Sequence, residues 1–324
     1  MRKLLYLCLP LVSFVLLTSC IKEDYSDCER CKLVFTYLGD GSSDVFPNHI
    51  TSVSLFVFDQ NERLVRTKRL EQNQLKAHQG VNFNLEPGKY RIVGVGNDYE
   101  LTDVSNTDAC DMSQIIFHHP NCKTRAEGVV QSNDSLYLGS KEIVIPESYW
   151  YHDTVRFYSS HLKVSYTVRD YVNPNATRAA QGYLDLRIKN LLPQTDFTNR
   201  AHGELMTYNP AFKFNTSNGD HTTYLNIMRH SADCNVEFEL VDRASGEVVH
   251  TLLLADFLRD FPQIDVTKQE VLIPILLEFK NIGVNVTIND WTVEDVTPGF
   301  GKGDDEEPST EPTPDAEQPE NNNQ

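Results

Sequence analysis

The sequence predicts an all-β protein with two tandem β-sandwiches. Short runs that alternate apolar and polar residues recur along most of the chain, and turn-forming residues separate them. Convincing helical spacing occurs only at residues 254–261, where Pro262 ends it. Many short strands with almost no helix are typical of β-sandwiches. Once residues 1–19 are set aside, 305 residues remain, which is enough for two domains.

The clearest strands lie in the first half of the chain. At residues 51–58, Val53, Leu55 and Val57 point to one face, and serine and phenylalanine side chains point to the other. Residues 32–37 have the length and residue types of a strand, and residues 63–69 predict a basic, exposed one. Pro87-Gly88 suits a type II turn, which predicts a hairpin between residues 81–85 and 90–95.

Further strands are expected along the rest of the chain. Residues 99–133 lack sustained alternation and predict a long loop with a short helical turn. Gly139 is expected to divide two strands at 135–138 and 142–145, and residues 244–247 to join two others as a tight hairpin. The remaining strand candidates are 155–158, 162–168, 183–188, 224–228, 236–241, 248–253, 271–279 and 284–288.

Changes in composition suggest how the chain is divided. An acidic, proline-rich stretch begins at residue 299 and predicts disorder, because it cannot bury apolar area. The predicted segments are a lipoprotein signal peptide at 1–19, a lipidated tether at 20–31, an N-terminal sandwich at 32–154, a C-terminal sandwich at 155–298 and a disordered tail at 299–324.

The N-terminus predicts export and lipid attachment at Cys20. Arg2 and Lys3 precede an apolar run at residues 4–17, which is too short to span a bilayer comfortably and is typical of an export signal. Thr18 and Ser19 before Cys20 resemble the lipobox of bacterial lipoproteins, in which this thiol carries a diacylglycerol. The alternative is an ordinary cleaved signal followed by an unmodified cysteine.

Three charged residues after Cys20 suggest a localisation signal. Lys22, Glu23 and Asp24 resemble the lysine-plus-two-acids signal that sends Bacteroides-type lipoproteins to the outer face of the outer membrane. A solvated linker with ordinary charges is the alternative. The expected location is therefore the outer membrane, with a lipid anchor and surface exposure.

Five cysteines remain after Cys8 in the signal and Cys20. Cys110 and Cys122 are a candidate disulfide, which would stabilise the fold by roughly 2–3 kcal/mol. Cys28 and Cys31 form a C-x-x-C that fits a local disulfide or two inert thiols. Cys234 is expected to be a buried thiol. A zinc site from Cys28, Cys31, Cys122 and His118 or His119 is a weaker alternative, so no metal is predicted.

Charge and motifs exclude several classes of function. The mature part holds 46 acidic residues against the 27 basic ones left from 29 after Arg2 and Lys3, a formal charge of −19 that disfavours nucleic acid. Neither a hydrolase nor a nucleotide-binding motif occurs, so no catalytic residue and no cofactor is predicted. His152-Asp153 beside Trp150 and Tyr151 is interpreted as the edge of a core.

Four stretches together resemble the FimB/Mfa-type fimbrial anchor proteins of Bacteroides-type bacteria. They are CIKEDYSDC at 20–28, VSLFVFD at 53–59, LEPGKY at 85–90 with Gly94 and Asn97, and INDW at 288–291. The resemblance implies two transthyretin-like β-sandwiches. It also implies the anchor subunit of a type V pilus, which attaches the fibre to the outer membrane and limits its length through strand complementation with a shaft subunit.

The sequence leaves two questions open. Arg63, Arg66 and Arg69 are sites that an arginine-specific protease could attack, as in a shaft subunit, whereas an anchor should escape that cut. The anchor either receives a strand or pairs through residues 284–296, because the acidic tail could not enter an apolar groove.

The rival function is a surface glycan-binding lipoprotein. Sugar platforms favour exposed aromatic residues, but Trp150 and Trp291, the only tryptophans, are expected in the core.

Overall fold

The computed structural model describes residues 30–107, 112–122, 129–147, 150–172, 183–280 and 283–289. These residues form β-strands in several sheets with three short α-helices, which confirms the all-β prediction. None of the helices in these ranges is long and apolar enough to cross a membrane. The signal, the predicted tether up to residue 29 and the acidic tail lie outside the described residues.

The described part of the first half contains nine strands and two helices. The strands are β1 (Cys31–Thr36), β2 (Val53–Asp59), β3 (Leu64–Leu70), β4 (Gly80–Phe83), β5 (Gly88–Gly96), β6 (Asp103–Ser105), β7 (Ile116–His118), β8 (Tyr137–Ile145) and β9 (Tyr151–Ser159). The helices are α1 (Phe46–His49) and α2 (Gln72–Ala77).

The second half contains eleven strands and one helix within the described ranges. The strands are β10 (His161–Arg169), β11 (Leu184–Leu191), β12 (Gln194–Thr195), β13 (Ala201–His202), β14 (Met206–Tyr208), β15 (Lys213–Phe214), β16 (His221–Met228), β17 (Glu237–Asp242), β18 (Val248–Leu253), β19 (Leu272–Lys280) and β20 (Gly283–Ile288). The helix is α3 (Leu254–Asp260).

A seven-stranded sheet in the order β3-β2-β5-β8-β9-β1-β4 folds over a core in the first half. The fold-over occurs in β9, which pairs in parallel with β1 up to Arg156 and then antiparallel with β8 from Phe157. Apolar side chains from both arms of the sheet, including Leu33, Leu55 and Ile92, pack together inside. This part is therefore a sandwich made from one continuous sheet.

Two facing sheets form the second half. The five-stranded sheet has the order β15-β16-β10-β19-β20, and the four-stranded sheet has the order β14-β11-β17-β18. Tyr166 and Ile275 from the first and Leu186 and Phe238 from the second share one buried core. The α3 helix adds Phe257 to this core and ends before Pro262, as the sequence predicts.

A small third layer connects the two halves. Its sheet has the order β13-β12-β7-β6, so strands from both halves pair with each other. Phe197 from the second half packs 5.5 Å from Phe56 and 5.3 Å from Phe117, measured between ring centroids. Because β2 is covered on one face by the sandwich core and on the other by this layer, its phenylalanines are buried as well as its aliphatic residues.

Three predictions of local structure are wrong. The segment 99–133 is not only a loop with a helical turn, because β6 and β7 form within it. The segments on either side of Pro87-Gly88 do not form a hairpin, because β4 pairs with β1 whereas β5 pairs with β2 and β8. Gly139 does not divide two strands, because β8 runs through it unbroken. Gly139 lies opposite Gly94, where a Cβ would collide with Phe157 or its neighbours, so the glycines make room for a ring.

The predicted boundary between residues 154 and 155 falls inside β9. Since β9 belongs to the seven-stranded sheet and β10 to the five-stranded sheet, a division that respects the sheets falls at Ser160. The division of the chain into two separate domains stays a prediction. The hairpin at residues 244–247 is confirmed as the connection between β17 and β18.

Gly94→Ala should destabilise the fold. A Cβ at Gly94 would lie 2.7 Å from Phe157 Cζ, and that ring is itself fixed against Phe35 and Phe46. We expect a loss of about 1–3 kcal/mol in the free energy of unfolding, measured by urea denaturation. Gly41→Ala is the control, because its nearest contact would be 3.6 Å away. Equal stabilities for the two variants would contradict this account of the core.

Candidate functional site

The residues predicted for lipid attachment and export lie outside the described part of the chain. These are Cys20, Lys22, Glu23 and Asp24. Cys110 also lies outside it, so the disulfide with Cys122 stays a prediction. Cys122 lies in a single 3-10 turn and is half-buried, and burial raises the pKa of its thiol to about 11.

Within the described residues, Cys31 and His118 occupy structural positions, and Cys28 lies outside them. Cys31 is fully buried in β1, and burial together with the charge of Asp153 raises the pKa of its thiol to about 11. His118 bonds to Ser105 Oγ and to the backbone carbonyl of His119. No group of three or more His, Cys, Asp or Glu side chains in the described ranges is placed to hold a metal ion.

The aromatic cluster at residues 150–153 differs from its predicted role. Trp150 is 62% exposed, so its predicted place in the core is wrong. Tyr151 packs against the sandwich core, and its hydroxyl donates to Asp153 Oδ2 at 2.7 Å. Trp150 immediately precedes β9, where nothing in the local alternation distinguishes an exposed tryptophan from a buried one. Trp291 lies outside the described residues.

Unpaired sheet edges are the candidate sites for binding another chain, because they present free backbone donors and acceptors. The edge strand β3 is protected. Arg66 and Lys68 lie opposite Val57 and Leu55, and so point toward the core side of the sheet. Arg66 Nη1 donates to the carbonyl of Asn84 at 3.2 Å, and Lys68 Nζ lies 3.4 Å from that of Asn82. Charged residues that point inward are a common defence of an edge.

Within the part of the chain that the structure describes, the β20 edge has no such protection. All six residues pair with β19 in unbroken register, and the strand contains no lysine, arginine or proline. Asn289 N donates to Pro274 O, so these two residues form a hydrogen-bonded pair. Such pairs alternate along an antiparallel ladder with pairs that are not hydrogen-bonded. Val284, Val286 and Ile288 are in the second kind of pair, so their backbone N–H and C=O groups face away from β19. Their side chains pack against the core.

The other edges are shorter or interrupted. The β18 strand is as long as β20, but its pairing with β17 shifts register between Leu240 and Val241. A bulge of this kind twists an edge away from regular pairing. The remaining edge strands, β4, β6, β13, β14 and β15, have two to four residues. Among the described strands, β20 therefore offers the longest regular open edge.

A half-buried carboxylate joins the two halves near the other end of β19. Glu270 accepts hydrogen bonds from the hydroxyls of Tyr37 and Tyr137, and Lys163 Nζ lies 2.8 Å from its second oxygen. Burial raises the pKa of Glu270, but the charge and hydrogen bond of Lys163 and the hydrogen bond of Tyr37 outweigh it, so the pKa is lowered overall. We call Glu270, Tyr37, Tyr137, Lys163 and Arg229 the joint.

Arg229 completes the joint through backbone contacts. Its guanidinium donates to five carbonyls, those of Ser159, His161, Val266, Lys268 and Gln269. Asp40 accepts from the backbone N–H groups of Gln269 and Glu270 at 2.8 and 3.1 Å. Burial lowers the pKa of the adjacent His161 to about 4, which keeps its ring neutral. Sequence reasoning missed the joint, because isolated charged residues at distant positions carry no periodic signal.

A protein-family model for the fimbrillin-A associated anchor proteins Mfa1 and Mfa2 matches residues 25–297. The chain belongs to this family. The match covers the described strands and confirms the predicted resemblance. A search of curated protein sequences finds no match. Membership of an anchor family implies a location at the cell surface or envelope.

Solved structures share the fold at low sequence identity. The fimbrial anchor protein Mfa2 from Porphyromonas gingivalis is 12% identical, with a TM-score of 0.62 over 81% of this chain and 97% of that one. A candidate adhesin from Bacteroides ovatus is 17% identical, with a TM-score of 0.64 over 84% and 96%. A candidate polysaccharide-binding protein from Bacteroides thetaiotaomicron is 15% identical, with a TM-score of 0.64 over 81% and 96%.

Glu270→Gln should weaken the fold in a pH-dependent way. The pKa of Glu270 is lowered by folding, so its charge stabilises the protein above the ordinary carboxyl pKa, and this stabilisation is lost as the pH falls through the lowered value. At pH 7 we expect a cost of about 1–3 kcal/mol in urea denaturation.

The difference from wild type should shrink as the pH is lowered below about 4. Glu142→Gln is the control, because Glu142 is an exposed partner of Arg91 and should cost about 0–1 kcal/mol at pH 7. A Glu270→Gln cost that stays constant from pH 7 to pH 3 would refute the role of the charge.

Proposed function

We propose that this chain is a lipid-anchored outer-membrane protein and the base subunit of a type V pilus. In this role it attaches the fibre to the cell and limits fibre length through strand complementation with a shaft subunit. The match of residues 25–297 to the anchor family carries the proposal, and the fold shared with Mfa2 from Porphyromonas gingivalis supports it.

Membrane attachment is assigned to Cys20. Two or three acyl chains give stable attachment, because each buried methylene contributes about 0.8 kcal/mol and a single chain holds a protein only marginally. Lys22, Glu23 and Asp24 then direct the protein to the outer surface. Ten residues separate Cys20 from β1, which begins at Cys31, so the tether to the first sheet is short.

Cys20→Ala should abolish attachment. In a bacterium that processes lipoproteins, we expect the variant to lose fatty-acid label and to leave the membrane fraction, measured by metabolic labelling and fractionation. Cys28→Ala is the matched control and should keep both properties, since Cys28 lies beyond the lipobox. Continued labelling of the Cys20→Ala protein would place the lipid elsewhere.

The position of the arginines in β3 supports an anchor over a shaft subunit. Arg66 and Arg69 lie within β3, which pairs with β2 along its length. Arg69 also contacts Glu71 at 2.7 Å and Asp98 at 3.0 Å. A protease needs an extended, accessible segment, so cleavage at these two positions requires local unfolding.

The shaft subunit is proposed to pair along the edge of β20. This edge is regular, six residues long and free of charged side chains. By contrast, Arg66 and Lys68 protect the β3 edge, and a bulge interrupts the pairing of β18. Main-chain hydrogen bonds to Val284, Val286 and Ile288 would supply the affinity, since their backbone groups face outward. The anchor thus uses the start of the 284–296 segment as its pairing surface.

Val286→Pro should detach the fibre. Proline removes an outward N–H and blocks the edge, but leaves the hydrogen-bonded pairs with β19. In cells that carry only this variant, we expect roughly tenfold more fibre in the medium, since tenfold corresponds to about 1.4 kcal/mol of lost pairing. Electron microscopy and immunoblotting of cells and medium measure this release.

Val286→Ala is the matched control, because it removes the same side chain from the core and keeps the N–H. It should retain fibres as wild type does. Thermal melting of both purified variants tests whether the sandwich still folds. If folded Val286→Pro holds fibres as well as Val286→Ala, pairing along β20 is wrong.

Glycan binding is the second candidate function, and one observation favours it. Trp150 is 62% exposed, so the argument against glycan binding that the tryptophans lie in the core does not hold for this residue. A structural relative from Bacteroides thetaiotaomicron is described as a candidate polysaccharide-binding protein. An anchor at the cell surface could carry both functions, since an open sheet edge and an exposed aromatic residue are separate features.

A further inference from the structure

A cleft of about 810 Å³ opens where the two halves meet. Its size is that of a site for a small ligand. Five segments line it, namely the end of β9, the end of β11, the loop containing β13, the loop after β16 and the loop before β19. Four of these segments belong to the second half, and the end of β9 belongs to the first.

The charge of the cleft is opposite to that of the protein. The whole chain has a formal charge of −17, yet among the described residues no aspartate or glutamate lines the cleft, and two arginines do. Arg229 uses its guanidinium on backbone carbonyls such as those of Val266 and Gln269. Arg200 is exposed and has no ion-pair partner among the described residues. It can therefore bind an anionic group that enters the cleft.

The floor of the cleft is held in place before any ligand arrives. Arg229 ties the end of β9 to the loop before β19 through its hydrogen bonds to Ser159 and Gln269. Gln269 Oε1 in turn accepts from the N–H of Ser159 at 2.9 Å. His230 is buried and accepts from Leu192 N at 3.4 Å. Fixed walls reduce the entropy that binding would otherwise cost.

The remaining lining combines apolar surface with neutral polar groups. Tyr158 is 42% exposed and Leu205 is 62% exposed, and both lie on the cleft. Side-chain amides and hydroxyls surround them, and such groups can both donate to and accept from the hydroxyls of a ligand. They belong to Asn190, Asn235, Gln269, Ser231 and Thr267.

We propose that this cleft binds a short oligosaccharide with a carboxylate, in which Arg200 holds the carboxylate and Tyr158 packs against a sugar ring. The proposal rests on the glycan-binding candidate and is independent of the pairing along β20. The cleft has amide and hydroxyl groups around an exposed aromatic ring, and this lining suits a sugar better than a peptide. Extended peptides are often bound along strand edges instead. The one strand edge at the cleft, β13, has only two residues.

Calorimetry on the full-length lipidated protein in detergent tests the site. The probes are three carboxylated oligosaccharides, a galacturonate tetramer, a hyaluronan tetramer and sialyllactose, each compared with its methyl ester. We expect at least one acid to bind with a dissociation constant of about 1 mM or lower, and its ester to bind about tenfold more weakly.

Two variants locate the binding. Arg200→Gln should weaken binding of the acid about tenfold and leave the ester unchanged. Arg259→Gln is the control, since it removes the same charge from an exposed position on α3 and should bind as wild type does. Tyr158→Ala should weaken both acid and ester, because the ring contact does not depend on charge.

Three results would overturn the proposal. They are failure of all three acids to bind, equal loss from Arg200→Gln and Arg259→Gln, and equal binding of each acid and its methyl ester. None of these results bears on fibre release from Val286→Pro cells. Failure of the glycan site and failure of the anchor function are therefore distinguishable.

Discussion

A half-buried carboxylate, Glu270, links the two halves of this protein. Glu270 accepts from Tyr37 and Tyr137 of the first half and pairs with Lys163 of the second. Withdrawing a charge from water is costly unless such partners surround it, so the full set of partners forms only when both halves are in place. The aromatic layer around Phe197 adds apolar contact to the same connection.

Much of the fold could be predicted because the alternation of residues is a local signal. The strand β2 showed its two faces in sequence, and both proved to be buried. The hairpin at Pro87-Gly88 failed for a physical reason. The turn signal describes a local bend, whereas the pairing of β4 with β1 and of β5 with β8 is decided by distant strands. The role of Gly139 was predicted wrongly for a similar reason. Its missing side chain makes room for Phe157, which lies in the neighbouring strand β9, and no local pattern shows that contact.

The same distinction applies to the candidate sites. The lipobox at Cys20 and the charges after it form a contiguous motif, so sequence alone predicts them. The protection of one edge and the openness of another depend on which residues lie opposite each other. In the sequence, Arg66 of β3 cannot be distinguished from other surface arginines. The structure places it opposite Val57, and therefore on the core side of the sheet. Arg200 likewise gains significance only from the absence of carboxylates along the described cleft lining.

For an anchor that holds a fibre by β20, the order of contacts defines a path for force. Tension applied to β20 passes to β19 through their unbroken ladder, and β19 begins two residues after Glu270. The hydrogen bond from Tyr37 to Glu270 then transfers the tension to Tyr37, the residue that follows β1. Cys20 precedes β1 in the chain. Since β1 runs parallel to β9 and is hydrogen-bonded on both sides, pulling along it shears many hydrogen bonds together. The half-buried carboxylate therefore lies where the load crosses between the halves, which gives a mechanical reason for its many partners.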